Sequence, residues 1–176
     1  MRNLPLGEVY KLIEPGPVIL LTTARGDRHN VMTMSWHMMV EFEPPLIACV
    51  LGGVDYSFAT LDETGECVIA IPPVEIAEKV VGIGNCSGKD TDKFSRFGLT
   101  AAKAKTVAPP LIAECFANLE CRVADRTLVQ RYGLFILEVT RAWIDPAQPS
   151  PRTIHHRGCG NFAIDGEFMK LASRMR

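Results

Sequence analysis

The chain has 176 residues, 47% of them hydrophobic and 22% charged, with 19 Lys and Arg against 20 Asp and Glu and a formal net charge of -1. This composition excludes intrinsic disorder, and the balanced charge excludes a general polyanion binder, so no nucleic-acid partner is expected. The length fits a single domain over 1–176. With neither a bilayer-length apolar run nor a secretory apolar stretch after Met1, a cytoplasmic protein without a membrane partner is expected.

Gly16-Pro17 precedes Val18-Ile19-Leu20-Leu21-Thr22-Thr23, a β-branched and aliphatic run that stops at the polar Arg25-Gly26-Asp27-Arg28. This pattern predicts a buried strand and a hairpin turn. The next segment repeats every two residues, which assigns Met32, Met34, Trp36 and Met38 to a core face and Thr33, Ser35 and His37 to a polar one. Those hydroxyls, which follow Asn30, either face solvent on an outer strand or give a ligand an edge to dock on. Glu43-Pro44-Pro45 interrupts the pattern, because proline lacks an N–H, and Leu46 to Leu51 forms a third strand ended by Gly52-Gly53.

Asp55 to Gly65 reads as a short helix with Asp55 as N-cap and Gly65 at its end. Ser57 and Thr60 either serve the cap or offer hydroxyls and free N–H groups to an anion at the positive end of the helix. A strand over Glu66–Ile71 stops at Pro72-Pro73. Ile76, Ala77, Val80 and Val81 predict a helix over 74–81 that dissolves in Gly82-Ile83-Gly84-Asn85, and Asp92 to Gly98 gives one or two more helical turns. Beyond Ala101 strands return, from Leu111 to Val123 and from Tyr132 to Ile144 around the link Ala124-Asp125-Arg126. A loop over 145–151 and a solvated, mildly basic end follow. Without strict βαβ alternation, the expected architecture is mainly β with short helices, a barrel or meander with helical covers.

Gly82-Ile83-Gly84-Asn85-Cys86-Ser87-Gly88 fails as a dinucleotide fingerprint: the third glycine is one residue late and a helix rather than a strand precedes it. A plain loop is expected there. Cys49, Cys67, Cys86, Cys115, Cys121 and Cys159 include no CxxC pair, so reduced thiols are expected and no metal site.

In order, these segments resemble the flavin reductase-like family of FMN-binding split barrels, which includes the flavoredoxins. The resemblance is carried by Pro15-Gly16-Pro17-Val18, by Asn30-Val31-Met32-Thr33-Met34-Ser35-Trp36, by Pro44-Pro45 and by Tyr56-Ser57-Phe58-Ala59-Thr60. It continues through Gly65-Glu66-Cys67-Val68-Ile69-Ala70-Ile71-Pro72 and Ser87-Gly88-Lys89-Asp90-Thr91-Asp92-Lys93-Phe94, over about residues 10 to 145.

The resemblance implies an FMN-binding split β-barrel that forms a homodimer, with one FMN per protomer in an interface groove and hydride transfer from NADH or NADPH to the flavin. The alternative it leaves open is a flavoredoxin-type electron carrier reduced by a redox protein. Carried over by position, Asn30, Thr33, Met34, Ser35 and Trp36 would line the flavin and its ribityl chain. Cys49, Val50 and Leu51 would approach the ring through their backbone, Ser57 and Thr60 would hold the phosphate, and Lys93 and Phe94 would close the site. No acid–base residue is expected, because the flavin accepts hydride directly.

Overall fold

The computed structural model describes residues 1–9, 13 and 16–172; Pro15 of the expected strand entry lies outside them. In chain order the first half carries β1 (Arg2–Leu4), β2 (Ile19–Arg25), β3 (Arg28–Met34), β4 (His37–Phe42) and β5 (Pro45–Val50). Helix α1 (Tyr56–Thr64), β6 (Glu66–Ile71), α2 (Ala77–Gly84) and α3 (Lys93–Phe97) follow. The second half holds β7 (Ala101–Ala102), β8 (Leu111–Ile112), β9 (Ala117–Asp125), α4 (Val129–Tyr132) and β10 (Leu134–Ile144), then β11 (Ile154–His156) and β12 (Phe162–Ile164).

The main sheet is antiparallel, in the order β3-β2-β6-β9-β10-β5-β4, with β1 added to β10. Ile19 and Leu21 of β2, Cys67, Ile69 and Ile71 of β6, Leu119 and Cys121 of β9 and Phe135 and Leu137 of β10 share one core, so the sheet curls about it. The intervening Leu20 and Ala70 point outward and are buried too, under Val80 and Ile83 of α2 and Phe94 of α3. Burial on both faces is why these strands read as continuous apolar runs rather than alternating ones. The curled sheet stays open: β3 and β4 are its two edges, and Ser35-Trp36 joins them.

That link corrects the expectation of one alternating strand through Met38. It inverts the phase, so His37 and Met39 turn inward while Trp36 is 71% and Met38 61% exposed. The glycines at 82 and 84 do not dissolve α2 either. A Cβ at Gly82 would lie 2.5 Å from the Phe97 ring, so the glycine lets α3 pack against the helix that contains it. Asp55 precedes α1 as expected but makes no capping bond; its carboxylate accepts the Gly52 N–H at 2.8 Å. At the end expected to be solvated, β11 pairs with β12, and Ile154, 3% exposed, accepts the Val18 N–H at 2.7 Å. No helix among the described residues is long and apolar enough to cross a membrane.

Candidate functional site

A cleft of about 780 Å³ opens at the split in the sheet, beside the Ser35-Trp36 link. Thr33, Met34, Ser35 and Trp36 form one wall, and Val50 and Leu51 continue it from the end of β5. The opposite wall is Gln130, Arg131, Tyr132 and Gly133 at the turn into β10. Gly133 fixes that wall: its φ is +65°, a Cβ there would fall 2.1 Å from the Leu51 carbonyl oxygen, and its own carbonyl accepts the Leu51 N–H at 3.0 Å. The Val50 N–H donates to the Trp36 carbonyl at 3.0 Å, so both backbone N–H groups of this wall are already committed.

A smaller pocket of about 340 Å³ adjoins the cleft through the shared residues Met32, Thr33 and Asp55. Asn30, Ser57, Lys93 and the loop over 85–88 converge on it. Asn30 faces inward from β3, and its Nδ2 donates to Ser57 Oγ at 2.8 Å. Its Oδ1 is buried with no partner among the described residues. The loop approaches this amide so closely that a Cβ on Gly88 would lie 1.9 Å from Oδ1.

Lys93 opens α3, where Asp92 caps the helix by accepting the Ser95 N–H at 3.2 Å. Only 5% exposed, the Lys93 ammonium donates to the Ile83 carbonyl at 2.9 Å and makes no ion pair among the described residues. Burial holds its pKa below the usual lysine range, against the opposing influence of Cys86 and Asp55. Further donors surround it: the N–H groups of Tyr56 and Ser57 at the start of α1, and of Cys86, Ser87 and Gly88 in the loop, have no acceptor among the described residues. Arg28 secures the loop by donating to the Gly88 and Lys89 carbonyls at 2.8 Å each, with its guanidinium 5.0 Å from the Tyr56 ring centre. A buried cation, unpaired amides and the positive end of a helix form a cradle for an anion.

Thr33, Met34, Ser35, Trp36, Val50 and Leu51 thus meet at the cleft, and Asn30, Thr33, Ser57 and Lys93 at the smaller pocket. Cys49, Thr60 and Phe94 line neither. Cys49 sits in the core with strands on both sides of β5, Thr60 lies one turn behind Ser57 on α1, and Phe94 packs under α2. The failed dinucleotide spacing reads 85–88 as a plain loop, yet its one glycine, Gly88, allows the close approach to Asn30. Sequence reasoning also missed Arg28 and the wall over 130–133. The glycine at Gly133 was the available signal for that wall.

The structure is thus an open antiparallel barrel with a cleft at its split and an anion cradle beside it. The chain matches the flavin reductase-like domain family over residues 12–162 and belongs to that family. It is 31% identical to the uncharacterised protein YddH of Escherichia coli K12, over 92% of this chain and 93% of YddH. Among solved structures it is similar to the FMN-binding domain of a flavin reductase-like enzyme from Shewanella baltica OS155. The TM-score is 0.89, with 26% identity and 97% of each chain covered. Flavoredoxin of Desulfovibrio vulgaris shares the fold, with a TM-score of 0.81 and 24% identity over 90% of this chain and 91% of that one.

Proposed function

We propose that this chain is an FMN-dependent oxidoreductase that takes hydride from NADH or NADPH. The observation that carries the reading is the smaller pocket, where a nearly buried lysine without an ion pair and an unpartnered buried Asn30 Oδ1 adjoin free backbone N–H groups. These groups fit a ribityl phosphate: Lys93 and the amides of residues 56, 57 and 86–88 would hold the phosphate, and Asn30 Oδ1 would accept from a ribityl hydroxyl.

In the cleft, Met34, Val50 and Leu51 supply the apolar wall that a flat ring requires, and Arg131 places a cation on its rim. When bound, FMN supplies the two-electron chemistry. The protein's part is to hold the two rings in reach and to exclude water. Asp55, the carboxylate among the lining residues described, accepts the Gly52 N–H at 2.8 Å.

A homodimer belongs to the same proposal. Edge strand β4 and its approach expose Trp36, Met38, Val40 and Phe42 beside the cleft, and a second copy would cover them. Purified protein should be yellow, release FMN rather than FAD on denaturation, and bleach on anaerobic mixing with NADH or NADPH. Release of FAD would contradict the cofactor. A yellow protein that neither nucleotide bleaches would instead mark an electron carrier reduced by a redox protein.

A further inference from the structure

The hairpin of β11 and β12 has one hydrogen-bonded face and one open face. On the first, Thr153 Oγ1 donates to Asp165 Oδ2 at 2.6 Å, the Thr153 N–H reaches the same oxygen at 3.0 Å, and His155 Nε2 lies 2.7 Å from Asp165 Oδ1. On the second, His156 and Phe162 stand with ring centres 5.3 Å apart and wall a cavity of about 280 Å³ against Met34, Ser35 and Asn85. The His156 ring, the Asn85 side-chain amide and the Ser35 hydroxyl make no hydrogen bond among the described residues. Three polar groups that can donate or accept therefore surround a slot with aromatic walls.

The cavity shares Thr33, Met34 and Ser35 with the cleft, so its occupant abuts whatever the cleft holds. Its electrostatics differ. Among the described residues its lining has no Lys, Arg, Asp or Glu, whereas the cleft has Arg131 and the phosphate pocket Lys93. A ligand carrying phosphate would lose hydration here without gaining a cation, which disfavours a nucleotide. A neutral planar ring would stack against His156 and Phe162, and a carbonyl or phenolic oxygen on its edge would pair with Ser35 and Asn85.

We propose that this cavity binds an uncharged aromatic carbonyl compound of the aryl-ketone or quinone class. Its placement beside a flavin rests on the function proposed above; the binding itself does not. The anchoring Thr153–Asp165 contacts keep the hairpin in place when a residue of the open face is changed.

The test uses the purified full chain with its bound flavin, 4-hydroxyacetophenone as the neutral probe and nicotinamide mononucleotide as the phosphate-bearing one. Saturation transfer from protein to the ring protons reports binding of each. The ketone should bind, and His156→Ala and Phe162→Leu should each weaken it at least fivefold while leaving nicotinamide mononucleotide unaffected. Circular dichroism and thermal melts check that the variants keep their fold. Should Phe162→Leu unfold the chain, His156→Ala, at an exposed position, carries the test alone.

Absence of ketone binding, binding indifferent to both substitutions, or an equal loss for the nucleotide would overturn the proposal. The flavin reading fails separately: a colourless protein that still binds the ketone through His156 keeps the cavity and loses the flavin, whereas a yellow protein that ignores the ketone loses the cavity alone.

Discussion

Glu120 and Lys93 are both charged side chains buried against the barrel, 0% and 5% exposed, yet the chain treats them in opposite ways. The Glu120 carboxylate accepts from the N–H groups of Lys105 and Thr106, from Thr106 Oγ1 at 2.6 Å and from Trp143 Nε1 at 2.7 Å. It straps the 103–110 segment over the outer face of β9. Lys93 has the Ile83 carbonyl and no carboxylate, and Asn30 nearby keeps an unpartnered oxygen. Since leaving a buried polar group unmet costs about 1–3 kcal/mol, the satisfied Glu120 cluster reads as structure, whereas the Lys93 and Asn30 groups, unmet beside a pocket, are where the proposed ligand would complete the contacts.

The largest effect should fall on the satisfied side. Glu120→Ala leaves several buried donors without an acceptor and should lower stability by about 3 kcal/mol, read by denaturant unfolding, with flavin affinity unchanged below the melting point. Acid should act in the same direction. Although burial pushes the Glu120 pKa up, its hydrogen bonds from Thr106, Trp143 and Lys105 hold it below the usual range. The native state then binds fewer protons than the unfolded one between the two pKa values. The stabilisation is complete above the ordinary glutamate pKa of about 4.3 and is lost as pH falls through the lower native value. Trp143 fluorescence against pH follows it, and a signal flat down to pH 2 would contradict the strap.

On the other side, Gly88→Ala should drive its methyl group into Asn30 Oδ1 and cost FMN on the order of a hundredfold in affinity, about 2.7 kcal/mol, by titration of the apoprotein. An unchanged affinity would remove this loop from the site. Lys93→Met sharpens the contrast, because the two properties should move apart. FMN should bind about tenfold more weakly, while apoprotein stability holds or rises as an uncompensated buried charge is removed. A parallel loss of both would make Lys93 structural, like Glu120.

The smallest effect is expected at the cysteines. Burial pushes the Cys49 and Cys115 thiols up, and a hydrogen bond with Cys121, followed by burial, does so for Cys67. That leaves the half-buried Cys86 and the exposed Cys159 as the accessible ones. Replacing both by Ser should change the rate of flavin reduction by less than about threefold, roughly 0.7 kcal/mol. A hundredfold loss with FMN retained would bring a thiol into the chemistry.

Legibility in the sequence followed the locality of the cause. Helix α1 ends at Gly65, with φ +69°, and α3 starts at Asp92 and ends at Gly98, with φ +57°, as local capping signals indicated. The break between β3 and β4 was invisible because Met-Ser-Trp-His-Met keeps a period of two while the Ser35-Trp36 link turns the chain over. β11 and β12 are too short for periodicity; Thr153, His155 and Asp165 pin them through contacts ten or more residues apart for Asp165. Asn30, Ser57 and Lys93 could be named from the sequence, but their convergence depends on the 85–88 loop, where Gly88 matters for its closeness to Asn30, 58 residues away in the chain, and not for its spacing from Gly82 and Gly84.

The central claim is that the smaller pocket takes a phosphate, and the most direct measurement compares FMN with riboflavin on the same apoprotein by fluorescence titration. The two ligands share ring and ribityl chain and differ in the phosphate alone. The account predicts that FMN binds at least a hundredfold more tightly and that Lys93→Met removes about a tenfold share of this advantage. Equal affinity for the two, or an advantage that Lys93→Met leaves intact, would contradict it.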